Sequence, residues 1–226
     1  MCFSAQADAT VGLALLPVGV LALREVRQAR EVPFAVLPLL FAVHQLIEAV
    51  AWAGADGEVS SEVGHAAVVA YLVIALVVLP TWFPLAVLLL EPRGARSRVV
   101  PFVALGAVVS AYCAMAMLRA PVGVVARDHA LQYRTDLHHG DLWTVLYVIA
   151  VIGPSLLSGY PSIVAFGVLN LVGLSVVAVV YEEAFTSLWC VWAACTSLLV
   201  LLHMVRRRRL PDAHRLLGAP LVPHQS

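Results

Sequence analysis

The chain has no lysine at all, and charged residues of every kind occupy only 12% of its 226 positions, about half the share of roughly 25% found in soluble domains. So sparse a supply of charge cannot coat a surface that faces water on all sides. The fourteen cations are all arginine and are balanced by fourteen carboxylates. With no basic excess to neutralise phosphates, no nucleic-acid partner is expected. The four cysteines, Cys2, Cys113, Cys190 and Cys195, form neither a CxxC pair nor a zinc-finger spacing, which argues against a disulfide framework or a redox motif. The N-terminal MCFSAQAD lacks the positive charge that opens a signal peptide, so the first apolar segment is expected to remain in the mature chain. No internal repeat and no Gly/Ser or acidic linker divides the sequence, which predicts a single domain over 1–226.

What the chain does have is apolar length, with 62% of its residues hydrophobic. A helix needs about 20 apolar residues to cross the hydrocarbon of a bilayer. Runs of that kind lie at 5–23, 32–53, 64–90, 99–118, 141–158, 161–181 and 184–204. They predict an all-α, polytopic protein of the cell membrane, a seven-transmembrane-helix bundle. In the third run Pro80 and Pro84 of LPTWFP are expected to kink the helix or end it near the interface. The short GYP turn at 159–161 and the pair Glu182–Glu183 leave little loop, so spans five, six and seven should be antiparallel neighbours. Arg24, Arg27 and Arg30, then Arg93, Arg96 and Arg98, then the RRRR at 206–209 all fall on one side of a seven-span chain. Short arginine-rich loops stay in the cytoplasm, which puts the N-terminus outside and the basic 206–226 tail inside.

One stretch resists this apolar pattern. HQLIEAVAW at 44–52 places His44, Gln45 and Glu48 in the second span, where an ionisable side chain costs about 3 kcal/mol on insertion scales. Helical geometry stacks His44, Glu48 and Trp52 on one face. The seventh span begins at the same outer level, with Tyr181, Glu182 and Glu183 at the rim and Trp189, Cys190 and Trp192 below. The 119–140 loop adds Asp128, His129, Tyr133, Asp136, His138 and His139, with Asp141 just beyond it. Every titratable group at membrane depth is therefore expected in the outer half, around a pocket open outward or into the outer leaflet. The inner half is expected to hold mostly arginines that topology explains. Ordinary roles compete with this: Glu48 as an interhelical hydrogen bonder, His44 as the partner that orients Glu48 one turn away or as a satisfied bundle histidine, the tryptophans, Trp82 above all, as an interfacial belt, the rim acids and loop histidines as solvated groups, and Cys190 and Cys195 as small apolar fillers.

MCFSA at the start, HQLIEAVAW, LPTWFPLAVLLLEP, DHALQY at 128–133 and SLWCVWAACTS at 187–197 together resemble an uncharacterised family of small actinobacterial membrane proteins that begin Met-Cys-Phe-Ser. That resemblance implies no activity. Size, seven spans, an acid on span two and an acid at the six-to-seven turn also resemble the integral-membrane terpene cyclases of meroterpenoid and indole-sesquiterpenoid pathways. This second resemblance implies that Glu48 is the proton donor and that Glu182 or Glu183 is the second acid.

The chemistry is coherent with such a cyclase. Protonating an alkene or epoxide needs a neutral carboxylic acid, the form that a low-dielectric site favours. The cation that follows needs π faces and dry surroundings, which Trp52, Tyr181, Trp189 and Trp192 would supply beside His129, Tyr133 and Cys190 as further lining. The sequence has no DDxxD-type cluster for magnesium and diphosphate, so the expected substrate is a lipid-like, already prenylated molecule in contact with membrane lipid. The alternatives are a metal-dependent membrane hydrolase, drawing ligands from His44, Glu48, His129, Cys2 and His203, and a non-enzymatic small-molecule or haem-binding module. No HxxxH or HExxH occurs, and no cofactor is predicted, although zinc and haem stay open. Oligomeric state leaves no signal in the sequence.

Overall fold

The structure, a computed structural model, describes residues 4–127, 130–135, 137–180, 192 and 194–209. Cys2, His129, Tyr181, Glu182, Glu183, Trp189 and Cys190 lie outside the described residues. The chain is mostly helical, and four helices are long and apolar enough to cross a membrane: Ala5–Arg24, Ala29–Ala55, Ser61–Leu90 and Val100–Arg119. Two shorter apolar helices follow, Gly140–Leu156 and Pro161–Val176 by the same measure. We label the regular elements α1 (Ala5–Arg24), α2 (Val32–Ala35), α3 (Leu37–Ala55), α4 (Ser61–Leu72), α5 (Leu79–Leu90), α6 (Val100–Arg119), β1 (Gly123–Arg127), β2 (Ala130–Arg134), α7 (Gly140–Leu156), α8 (Pro161–Val180) and α9 (Leu198–Arg209).

Each helix begins where the sequence offers a start. Ser4 and Ser60 cap α1 and α4 by accepting from Ala7 N–H and Val63 N–H. Prolines stand at the first or second position of α2, α3, α5 and α6, a place proline tolerates where the helix has a free start, as in α6. α1 lies against α3 so closely that a Cβ on Gly12 would stand 2.8 Å from Leu46 Cγ. The exterior keeps large apolar side chains, Leu118, Val108, Val176 and Leu142 among them, a surface suited to hydrocarbon and costly in water.

Pro80 and Pro84 neither end nor sharply interrupt the third segment, which runs helical from Ser61 to Leu90. Ahead of Pro80 the helix widens into a π turn over Val73–Val78, with Leu79 N–H bonded to Ile74 C=O. The reason lies in the proline: it has no N–H for the carbonyls one turn back, and its ring would strike the Leu76 carbonyl in a regular helix. Tyr147 satisfies one of the freed groups by donating to the Ala75 carbonyl at 2.9 Å. α6 then packs against this point because Gly106 has no side chain, and a Cβ there would overlap the Pro80 carbonyl oxygen. Gly106→Leu is therefore expected to push α6 off α5 and cost ~1–3 kcal/mol. Thermal unfolding in detergent would measure it, and an unchanged midpoint would refute so close a helix contact.

The 119–140 segment departs from the all-α expectation. β1 and β2 form an antiparallel hairpin with Val124 opposite Tyr133 and Ala126 opposite Leu131. Cross-strand partners share a face, so these four side chains form one surface. Leu131, 1% exposed, is buried in a cluster with Trp52, Val68 and Tyr71, against which Val124 and Tyr133 also pack.

At the opposite end of the bundle, where the arginine-rich segments meet, the structure corrects a second expectation. Buried acids occur there too. Glu31 closes a capping box, accepting from Arg27 N–H at 2.9 Å and Gln28 N–H at 3.3 Å. Its other oxygen is 2.7 Å from Arg207 Nε of α9, in a salt bridge whose side chains are 3–4% exposed. Glu91 accepts from Ser158 Oγ at 2.6 Å and Gly159 N–H at 2.8 Å, while Ser162 pairs with His203 Nδ1 at 2.7 Å. Around them lies the larger apolar core, including Phe34, Phe83, Leu90, Ile163, Phe166 and Met204. Trp82, expected in an interfacial belt, is half-buried against this core and donates its indole N–H to the Pro33 carbonyl at 2.9 Å.

Candidate functional site

At the hairpin end α3 faces α4 across a cluster that is polar and aromatic. His44, Gln45 and Glu48 are all 0% exposed, and Trp52 is 6% exposed. The expected stripe on α3 is thus buried inside the bundle. Its members are connected differently from a direct His44–Glu48 pair. His44 Nε2 donates to the Tyr71 carbonyl at 3.2 Å, since a carbonyl can only accept, and Nδ1 has no partner among the described residues. Glu48 accepts from Gln45 Nε2 at 3.2 Å and from Tyr133 hydroxyl at 3.4 Å.

Three rings join these two ends. His44 stacks on Tyr71 with centroids 4.0 Å apart, and Tyr71 stacks on Tyr133 at 4.4 Å. The hairpin therefore brings Tyr133, 85 residues away in sequence, over the Glu48 carboxyl. Parallel stacks of this kind present π faces and exclude water. An open pocket of about 320 Å³ lies between α3, α4 and β1, lined by Ala51, Gly54, Gly64, His65, Val68 and Val124 among others, and not by Glu48 or the three stacked rings themselves. Ala51 and Val68 are each three residues, one helical turn, from Glu48 and Tyr71 respectively.

Two members of the cluster carry no sequence motif that marked them. Tyr71 sits in an apolar run where one aromatic residue is ordinary. Asp8 lies in the first turn of α1, where an acid is also ordinary, yet it is 1% exposed. The Trp52 indole N–H faces the Asp8 carboxylate without reaching hydrogen-bond geometry. Trp192 stands elsewhere. It is 40% exposed, donates to the Leu169 carbonyl at 2.9 Å and packs over Gly173 of α8. His203 belongs to the arginine-rich end, where its ring meets Phe34 and Tyr160 edge-on. Among the described residues no three His, Cys, Asp or Glu side chains converge as metal ligands; His129 and Cys2, two of the sequence candidates, are outside them.

Fold and site together define a helical bundle with membrane-spanning dimensions and a buried carboxyl–aromatic cluster at one end. Residues 1–215 match a family of unknown function, DUF6629, and the chain belongs to it. No curated protein and no solved structure matches the chain.

Proposed function

We propose that this chain is a seven-span enzyme of the cell membrane that protonates a lipid-like, prenylated substrate and so starts its cyclisation, with Glu48 as the general acid. The observation that carries the proposal is the Glu48 carboxyl: 0% exposed, hydrogen-bonded by the neutral amide of Gln45 and the hydroxyl of Tyr133, and one turn from an open pocket. A carboxyl group in such surroundings can keep and deliver a proton, and donors already aimed at its oxygens receive the carboxylate left behind. Tyr133, whose outer face is not part of the stack, and Trp52 supply π faces for a passing cation. Glu182 or Glu183 would assist from the rim.

The test is direct. Membranes containing the protein are incubated with a panel of prenylated phenols and quinones. Cyclisation returns products of unchanged mass and altered chromatographic retention, and these should vanish with Glu48→Gln. Zinc bound in stoichiometric amount by the wild type and lost on replacing His44 would favour the hydrolase alternative instead.

The proposal also fixes orientation, since the arginine-rich end is cytoplasmic and the hairpin end outside. In a variant lacking the native cysteines, a cysteine at Ser60 should react with an impermeant thiol reagent on intact cells, and one at Ser97 should not. The reverse pattern would invert the bundle.

A further inference from the structure

We infer that Asp8 is the second acid–base group of this site, the carboxylate that takes up the proton released when the cationic intermediate collapses to an alkene; the inference rests on the donor role proposed for Glu48. The depth of Asp8 follows from its neighbours on α1. Ala5, one turn before it, packs into the cluster of Trp52, Tyr71 and Leu131. Gly12, one turn after it, lies on Leu46 and the Ala42 carbonyl of α3. Asp8 is thereby held between the levels of Leu46 and Trp52, which is the level of Glu48.

Its surroundings give it one facing donor, the Trp52 indole, and no completed hydrogen bond among the described residues. Neither carboxylate oxygen has a hydrogen-bond partner among the described residues, and nor has the Trp52 indole N–H that faces it. A buried polar group without partners is strongly disfavoured, and one serving only to hold helices together would be bonded across the interface. Two carboxyl groups at one depth in a low-dielectric bundle cannot both ionise cheaply in the empty site, so the resting pair is assigned a single proton.

That arrangement closes a catalytic cycle. The Glu48 O–H adds its proton to the terminal alkene carbon; the π pair becomes a C–H bond and leaves a tertiary cation and a carboxylate. A second alkene supplies its π pair to form the ring C–C bond. The Asp8 carboxylate then removes a proton from the carbon beside the cation, and that C–H pair becomes the new C=C. Transfer of the proton from Asp8 to Glu48 restores the starting state, and the product is an isomer of the substrate. Before and after turnover the pair carries one negative charge; while the cation is present both groups are ionised and the cation offsets the second charge, so the total is unchanged.

A hydrophobic carbodiimide, dicyclohexylcarbodiimide, reports which buried carboxyl group holds the proton, because it reacts with the acid form. With the full chain in native membranes, mass mapping should find the label on Glu48 in the wild type. In Glu48→Gln the proton has only Asp8 to occupy, so labelling at Asp8 should rise about tenfold or more. No label on Asp8 in that variant, or label on both carboxyls of one wild-type molecule, would overturn the inference. The second arm uses prenylated phenols as substrate. Asp8→Asn should slow turnover and divert the residual product to an alcohol heavier by one water, and Asp8→Glu should restore the isomer. An unchanged product from Asp8→Asn also counts against the terminating role. A wild type that converts none of the panel would count against Glu48 as donor, while the labelling still decides whether the two carboxyls share a proton.

Discussion

Glu48→Gln is expected to lower turnover by 10²- to 10⁴-fold, the range that general acid catalysis supplies, while the protein still folds and inserts. Glutamine has nearly the volume of glutamic acid, and its amide oxygen can keep the bond from the Gln45 amide while its NH2 takes the other oxygen's place and donates to the Tyr133 hydroxyl, which turns to accept. The change removes the acidic proton and little else. An alkene offers no lone pair, so no weaker donor nearby easily replaces a carboxylic acid: a tyrosine hydroxyl is less acidic by about six pKa units. The comparison should be made at equal amounts of folded protein, judged by detergent gel filtration, and at saturating substrate, because loss of a donor in the transition state lowers kcat and leaves KM little changed. Wild-type turnover from a well-folded Glu48→Gln protein would remove Glu48 from the chemistry.

The α3 part of the site was legible in the sequence because lipid-spanning segments tolerate ionisable groups only at a cost, so His44, Gln45 and Glu48 stood out against their apolar neighbours. The aromatic members of the cluster were legible only in part. Tyr133 was expected near the stripe, but nothing local said that the segment around it is a hairpin. β1 and β2 are five residues each, and no Asn-Gly or Asp-Gly pair marks the turn. Pairing there depends on burial of Leu131 and Tyr133 against α3 and α4, a tertiary effect. The expectation of a direct His44–Glu48 unit came from spacing alone. Tyr71 offers its carbonyl and ring to His44, and a partner on another helix outweighs one a turn away. Asp8 was missed for a related reason, since position in a first turn has a sufficient local explanation and burial is not visible in one sequence. Glu31 and Glu91 were hidden by the arginines around them: a mixed-charge loop reads as solvated, and only packing shows that α9 covers it.

Arg207→Ala is expected to destabilise the bundle by about 3–5 kcal/mol, the cost of leaving one member of a buried ion pair without the other. Arg207 is 5% exposed, its Nε is 2.7 Å from Glu31, its Nη1 donates to the Tyr160 hydroxyl at 3.4 Å, and its guanidinium lies 5.5 Å from the centre of that ring. One side chain thus ties α9 to the start of α2 and to the turn between α7 and α8. Removing it strands the Glu31 carboxylate at 3% exposure, although the capping bonds from Arg27 and Gln28 N–H remain and moderate the loss. A fall in the thermal midpoint on the order of 10 °C would correspond to such a loss. The assignment to stranded charge, as opposed to lost packing, has its own check: Glu31→Gln keeps an oxygen for the capping bonds and removes the charge, so the double variant should be more stable than Arg207→Ala alone. Equal or additive losses would mean that packing of the arginine stem against Tyr160 carries the effect. The two ends of the bundle are separate clusters, so carbodiimide labelling at Glu48, measured below the lowered midpoint, should be the same in Arg207→Ala as in the wild type.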